Sequence, residues 1–297
     1  MIKSKAIIKK YGKSFFWASK FLDRQSIELI YPIYHLCREI DDMVDEGDSK
    51  IGLKNLKHIE ENLSVDFLYQ KFPYLEAIPK DQFPKMEYIQ EFINGQFSDL
   101  KFQQPKDMDD LIKYCYRVAG VVGLMLCDVL NIEDKKLKLY AIDLGIGMQL
   151  VNIARDIKED AENERIYLPQ SLIGEQHHKS IIENIDLQDL VNLERNNLIE
   201  ISSSYFRSSD KAFEFLPKQI GYTFRLASIL YEGIGVKILT KKHHFMHGRV
   251  YLSKFEKLKL TLFSLFERNP KFDQLPKHNK RLHIGINKLP DTDNGIL

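Results

Sequence analysis

A chain of 297 residues with 44% hydrophobic and 29% charged residues carries enough apolar material for a core and too little bias for a disordered polymer or a fibre. Its 43 Lys+Arg against 42 Asp+Glu leave a formal charge of +1, so no global positive field exists to collect nucleic acid, and no nucleic-acid partner is expected. The 15 glycines and 10 prolines argue against a turn-rich β protein, and the 3 cysteines, without a C-x-x-C pair, suggest neither a disulfide framework nor a zinc knuckle but a reducing cytoplasm.

The amino-terminal segment Met1–Lys13 is lysine-rich and never reaches an apolar run of signal-peptide length. The longest uncharged, strongly apolar stretch, Val118–Cys127, falls short of the roughly 20 residues that a spanning helix needs, so the chain is expected to be soluble or at most peripheral to a membrane. Apolar residues at i, i+3 and i+4 predict helices over Ser26–Met43, Asp109–Leu130, Lys135–Asp160, Ile181–Phe215 and Tyr222–Thr240. Pro73, Pro79 and Pro84 punctuate a connecting region, and Pro217–Gly221 breaks the chain before the last of these helices. No alternating strand block, fixed-period repeat or low-complexity linker interrupts the pattern. From Asn269 to Leu297 periodic apolar positions are few. The expectation is one all-α domain over residues 1–268, followed by a flexible tail over 269–297.

Two blocks carry chemistry. In Tyr31–Glu46, at 100° per residue, Tyr34, Arg38, Asp41, Asp42 and Asp45 fall within about 100° of arc. In Gly147–Asp160, the side chains of Gln149, Asn152, Asp156 and Asp160 lie within about 80° of one another. Gly145 shares that second face, where a missing side chain leaves room for a ligand. Taken singly, each block reads as an ordinary solvated acidic face. Magnitudes and neighbours favour a cleft. Like charges at i,i+4 on an exposed helix cost only about 0.2–0.5 kcal/mol, whereas two carboxylates about 6 Å apart in a partly dry cleft repel by roughly 3 kcal/mol. Tyr31, Ile33, Leu36, Ile40 and Val44 beside the first block, and Leu150, Val151 and Ile153 beside the second, are not the company of a solvated face. Carboxylates held there need a counter-charge. Hard oxygen ligands with one amide suit Mg²⁺, with Mn²⁺ as the alternative, and such ions bind through substrate phosphates. Arg38 and Arg155 add the forked donors that phosphate oxygens favour.

Asp41-Asp-Met-Val-Asp45 after Tyr-x-x-x-Arg, then Gln149-x-x-Asn152-x-x-Arg155-Asp156-x-x-x-Asp160 and Glu164-Arg-Ile-Tyr-Leu-Pro169, resemble the squalene/phytoene synthase family. Lys13-Ser-Phe15, the Gly95-x-x-x-Asp99-Leu100 stretch and Tyr114-Cys-Tyr-Arg-Val-Ala-Gly-Val-Val-Gly123 add to the likeness, which runs over roughly residues 8–260. The resemblance implies a single-domain helical bundle of the isoprenoid synthase type around a central cavity. It also implies a prenyltransferase that joins two allylic diphosphates head to head through a cyclopropylcarbinyl diphosphate. The motifs look closest to the bacterial phytoene synthase branch of carotenoid biosynthesis, which uses two geranylgeranyl diphosphates. The alternatives are the C30 branch, giving dehydrosqualene or squalene from farnesyl diphosphate, and a catalytically inactive binding or assembly protein on the same fold.

Carried over residue by residue, Asp41, Asp45, Asn152, Asp156 and Asp160 would bind metal, with Asp42 in support. Lys13, Ser14, Phe15, Arg38, Gln149, Arg155, Tyr231, Arg249 and Lys257 would contact substrate, and Tyr34, Tyr114 and Tyr167 would line the reaction chamber with Tyr231. His243, His244 and His247 lack the Glu of a zinc motif and read as a loop. The amino-terminal lysines read equally as a solvated basic end or, with a C20 substrate, as a contact for anionic lipid, so the expectation is a cytoplasmic protein with an optional peripheral contact to the inner membrane for product release. Oligomeric state leaves no mark in the sequence.

Overall fold

The computed structural model of the chain describes residues 2–45, 49–240, 243–266 and 272–292, the side chain of Asp45 excepted. In chain order its helices are α1 (Ile2–Tyr11), α2 (Lys13–Ala18), α3 (Arg24–Asp45), α4 (Ser49–Glu61), α5 (Val65–Lys71), α6 (Met86–Leu100), α7 (Met108–Cys115), α8 (Val121–Val129), α9 (Lys135–Glu162), α10 (Gln170–Ile173), α11 (His178–Glu183), α12 (Ile185–Ser209), α13 (Lys218–Thr240) and α14 (Lys254–Phe266). No strand occurs among the described residues, and the all-α expectation holds.

Local chemistry sets the boundaries. Asp23 starts α3 by accepting hydrogen bonds from the Ser26 amide and hydroxyl at 2.7 and 3.1 Å, which hold its carboxyl below the usual range despite partial desolvation. α7 and α8 continue through one π-helical turn, Tyr116–Gly120, so the helix expected over 109–130 is one rod with a bulge. Such bulges concentrate at functional sites because they re-aim neighbouring side chains. The helix expected over 181–215 is divided. Asn184 closes α11 and caps α12 by accepting from the Leu187 amide, and a 3₁₀ turn over Phe213–Phe215 ends the stretch. The apolar period runs straight through Asn184, so periodicity alone hides the break.

α9 is the axis of the bundle, with Ile142, Ile146, Leu150, Ile153 and Ile157 buried against α8, α12 and α13. It has the length and apolarity of a membrane span but is mostly buried, as a core helix is. Its closest crossing is backbone to backbone. A Cβ on Gly145 would lie 2.4 Å from the Ala119 carbonyl oxygen, and one on Gly123 would lie 2.5 Å from that of Ala141. Gly145 therefore serves a close crossing with the π turn, and it also borders the large cavity of the bundle, in keeping with the expectation of room for a ligand on that face.

Residues 272–292 correct a second expectation, that of a loosely held tail. Tyr205 donates to the Leu282 carbonyl at 2.9 Å, Tyr116 to that of Pro290 at 2.5 Å, and Tyr140 to that of Pro276. Asp143 of α9, with no exposed surface, accepts from His278 Nε2 and His283 Nε2 at 2.8 Å each, through different carboxylate oxygens. Both Nδ1 atoms are buried without a partner. A metal-ligating imidazole almost always donates its outer nitrogen to an acceptor; here neither outer nitrogen has one, and the two rings, bonded to Asp143, dock the segment on α9. Its anchors are single hydroxyls and rings, which leave no period in the sequence. Residues 267–271 and 293–297 lie outside the described residues.

Candidate active site

One cavity of about 880 Å³ runs between α2, α3, α6, the α7–α8 rod, α9, α13 and α14. That is the upper end of the usual range for small-molecule sites, about 300–1,000 Å³. Along α9 its lining changes character: Leu137, Tyr140, Leu144 and Met148 come first, then Gln149, Asn152, Asp156 and Asp160. At 1.5 Å per residue this polarity gradient is about 35 Å long. The cavity is apolar at one end and densely charged at the other.

Both carboxylate faces reach the charged end. Asp41 projects from α3 and accepts from Gln96 Nε2 of α6 at 2.7 Å. Asp156 and Asp160 project from α9 into the same cavity. Lys13, Ser14 and Phe15 of α2, Tyr34 and Arg38 of α3, Tyr114, Gln149, Asn152, Arg155, Tyr167, Tyr231, Arg249 and Lys257 also line it. Asp42 does not. It turns aside to form an i,i+4 ion pair with Arg38, because one helix turn brings the two together more readily than it brings Asp42 to the chamber. The Asp45 side chain lies outside the described residues.

The electrostatics are uneven. Asp156 accepts both Arg155 nitrogens at 2.7 and 2.6 Å and both Arg249 nitrogens at 2.8 Å, so two guanidinium forks grip one carboxylate. Arg249 also reaches Glu159 at 3.2 Å. Asp160 has the opposite environment: burial, Asp156 and Glu159 push its carboxyl well above the usual range, with Arg165 opposing. Asn152 Oδ1 is buried beside these carboxylates without a hydrogen-bond partner. On the facing side, burial and the nearby Lys13 and Lys20 lower the Lys257 ammonium, which donates to the Lys13 carbonyl at 3.1 Å.

Several contributors were not singled out as site residues. Asp99 of α6 accepts from Tyr114 at 3.0 Å and from Tyr167 at 2.7 Å, while the two rings stack at 4.8 Å. Burial and Asp99 raise both phenols far above their ordinary range, so they serve as neutral donors. Asp99 and Gln96 both lie in the Gly95-x-x-x-Asp99-Leu100 stretch already noted, which was the signal available for them. Arg195, with no exposed surface, donates to the Ala154 carbonyl at 2.6 Å and to the His243 carbonyl at 2.5 Å. It ties α12 both to the segment of α9 bearing Arg155 and to the loop that leads to Arg249. Burial pushes its guanidinium down to about 10.

Comparison with known proteins places this geometry. The sequence profile of the Squalene/phytoene synthase family matches residues 8–256. The chain is 31% identical over 269 residues to a 15-cis-phytoene synthase of Enterobacter agglomerans, covering 84% of this chain and 90% of that one. It is 29% identical over 271 residues to a 15-cis-phytoene synthase of Pantoea ananas, covering 84% and 86%. Among solved structures, a dehydrosqualene synthase in complex with ligand superposes with a TM-score of 0.74 at 26% identity, covering 89% of this chain and 94% of that one.

Proposed function

The chain belongs to the squalene/phytoene synthase family, and from that premise we propose that it condenses two geranylgeranyl diphosphates head to head to phytoene. The observation that carries this reading is that Asp41 and the Asp156–Asp160 pair, from two distant stretches of chain, line one cavity whose other end is apolar. The relatives named as phytoene synthases, bacterial and plant, support the C20 substrate.

The charged end fits a hard divalent cation. Asn152 offers an unpartnered buried oxygen, and Asp160 sits among like charges that a cation would relieve. Asp41, Asn152, Asp156 and Asp160, with Asp45 in the same sequence motif, would hold Mg²⁺ or Mn²⁺, which when bound supplies Lewis-acid stabilisation of the departing diphosphate. The chain's own residues do the rest. Arg155 and Arg249, parked on Asp156, present forked donors that can pass to diphosphate oxygens when a ligand enters. Lys13, Arg38 and Lys257 complete a cationic rim at the same end. Tyr34, Tyr114, Tyr167 and Tyr231 turn aromatic surface toward the chamber, where it can stabilise cationic carbon while the double bond of the second substrate attacks. Val118, Val122, Leu126, Leu144 and Phe224 exclude water, which would otherwise capture the cation on the way to the cyclopropylcarbinyl diphosphate. The setting proposed is cytoplasmic, with substrate drawn from the membrane surface.

A second reading, two C15 diphosphates joined to dehydrosqualene or squalene, rests on the likeness to the dehydrosqualene synthase structure. Incubation with Mg²⁺ and each diphosphate, followed by identification of the hydrocarbon, separates the two. Phytoene from the C20 substrate is the expected product. Turnover of the C15 substrate alone would replace the first reading with the second, and no hydrocarbon from either would favour a binding or assembly role.

A further inference from the structure

α14 is turned inside out. Measured from Phe255 at 100° per residue, Leu258, Leu262, Phe263, Leu265 and Phe266 fall within about 160° of arc. All six are exposed, Phe255 by 76% and Phe266 by 84%. The opposite face, Lys257, Thr261 and Ser264, is buried. Amphipathic helices of globular proteins bury the apolar stripe. Here the polar stripe faces inward because Lys257 serves the cavity, Thr261 accepts from Trp17 Nε1 at 3.0 Å, and Ser264 meets Tyr222 at 3.1 Å. Among the described residues nothing covers the apolar stripe, and its six side chains share one face rather than being scattered over the surface.

The charges around this face specify what covers it. Lys254 is exposed at the edge of this arc and Lys259 within it, and Lys20 is exposed on the adjoining 3₁₀ turn after α2, next to the half-exposed Phe21. The one acidic residue of α14, Glu256, is neutralised by Lys237 at 2.8 Å. Lysines beside and among exposed Phe and Leu, long enough to reach headgroups while the rings enter the acyl boundary, suit a helix lying in the interface of a bilayer with anionic headgroups. A second copy is a poor occupant, because a two-fold interface on this face would set Lys254 and Lys259 against their own copies. We propose that the outer face of α14 seats the protein on a bilayer containing anionic lipid. The same helix walls the cavity with Lys257, so the bilayer would lie about one helix diameter, ~10 Å, from the chamber. The inference deepens the proposed function, whose substrates and product are membrane-soluble chains, but its test does not depend on turnover.

The test is co-sedimentation of the full chain with vesicles of phosphatidylcholine alone or mixed with phosphatidylglycerol. The expected result is roughly 10- to 100-fold tighter binding to the mixed vesicles, weakened by salt. Phe255→Ser/Leu262→Ser/Phe266→Ser should lose at least about 10-fold of that binding. Ile185→Ser/Leu193→Ser, an exposed apolar pair on α12, should bind as the unsubstituted protein does. Lys254→Glu/Lys259→Glu provides a second variant should the triple one fail to fold. Failure of the unsubstituted protein to bind mixed vesicles, or undiminished binding by folded α14 variants, overturns the proposal. So does a dimer, seen by light scattering, that the α14 substitutions dissolve. Hydrocarbon synthesis from detergent-dispersed C20 diphosphate should persist in the triple variant. Its absence in the unsubstituted protein, with vesicle binding intact, would count against the proposed function and leave the docking face standing.

Discussion

Asp143 and Asp160 are two carboxylates buried on one helix, about 25 Å apart along α9. Their surroundings are opposite. Asp143 is desolvated, but two imidazole N–H groups outweigh that and hold its carboxyl below the ordinary value. Asp160 is also desolvated, and the charges nearest it, Asp156 and Glu159, push it the other way. A carboxylate buried to hold a fold together has its hydrogen bonds made in advance. One buried beside like charges and an orphaned amide oxygen is the kind of group that a bound cation would relieve. By that criterion α9 is structural at Asp143, and the proposed function places its ligand at Asp160.

The comparison can be broken by substitution. The largest expected effect is on stability at the first site: Asp143→Ala strands two buried rings and should cost about 3–5 kcal/mol in denaturant unfolding. Specific activity of the molecules that remain folded should stay within a few-fold. Asp160→Asn should do the reverse. Unfolding stability holds or rises as like-charge repulsion is relieved, while hydrocarbon formation falls about 100- to 1000-fold. Should Asp160→Asn unfold the protein, or Asp143→Ala spare it, the distinction fails. A smaller effect belongs to Gln96→Leu, which removes the 2.7 Å donor to Asp41 and should lower Mg²⁺-dependent activity about 10- to 100-fold with little loss of stability. Smallest is the pH response. Because the folded value of Asp143 is depressed, its stabilisation is present above its unfolded value, near 3.9, and is lost as pH falls through the lower folded value. Below about pH 4, acid unfolding monitored by circular dichroism should therefore show a steeper loss in the unsubstituted protein than in Asp143→Asn.

The two acidic faces were legible because helical period is a property of sequence: fixing Asp41, or Asn152 and Asp156, at 100° per residue fixes the face they share. Period did not say which member of a face reaches the chamber, so Asp42 was grouped with Asp41 although an i,i+4 arginine holds it aside. Gln96 and Asp99 come from a third helix, and their partners are set by how α6 packs on α3 and against Tyr167, which no local spacing encodes. The docked segment over 272–292 was missed for a related reason. Its anchors are Pro276, His278, Leu282, His283 and Pro290, spaced to suit acceptors and donors on the π turn, α9 and α12 rather than any helix or strand of their own. Gly145 was placed on the correct face and borders the cavity, but the helix crossing that it also serves is revealed only by the packed bundle.

The central claim is that Asp41 and Asp156, from separate stretches of chain, grip one metal-bound diphosphate. Calorimetric titration of inorganic pyrophosphate into the protein, with Mg²⁺ and with EDTA, measures this without any assumption about chain length. Binding should require Mg²⁺, and Asp41→Asn and Asp156→Asn should each abolish it while the protein stays folded. Pyrophosphate binding that is equally tight in EDTA, or that survives either substitution, would contradict the account.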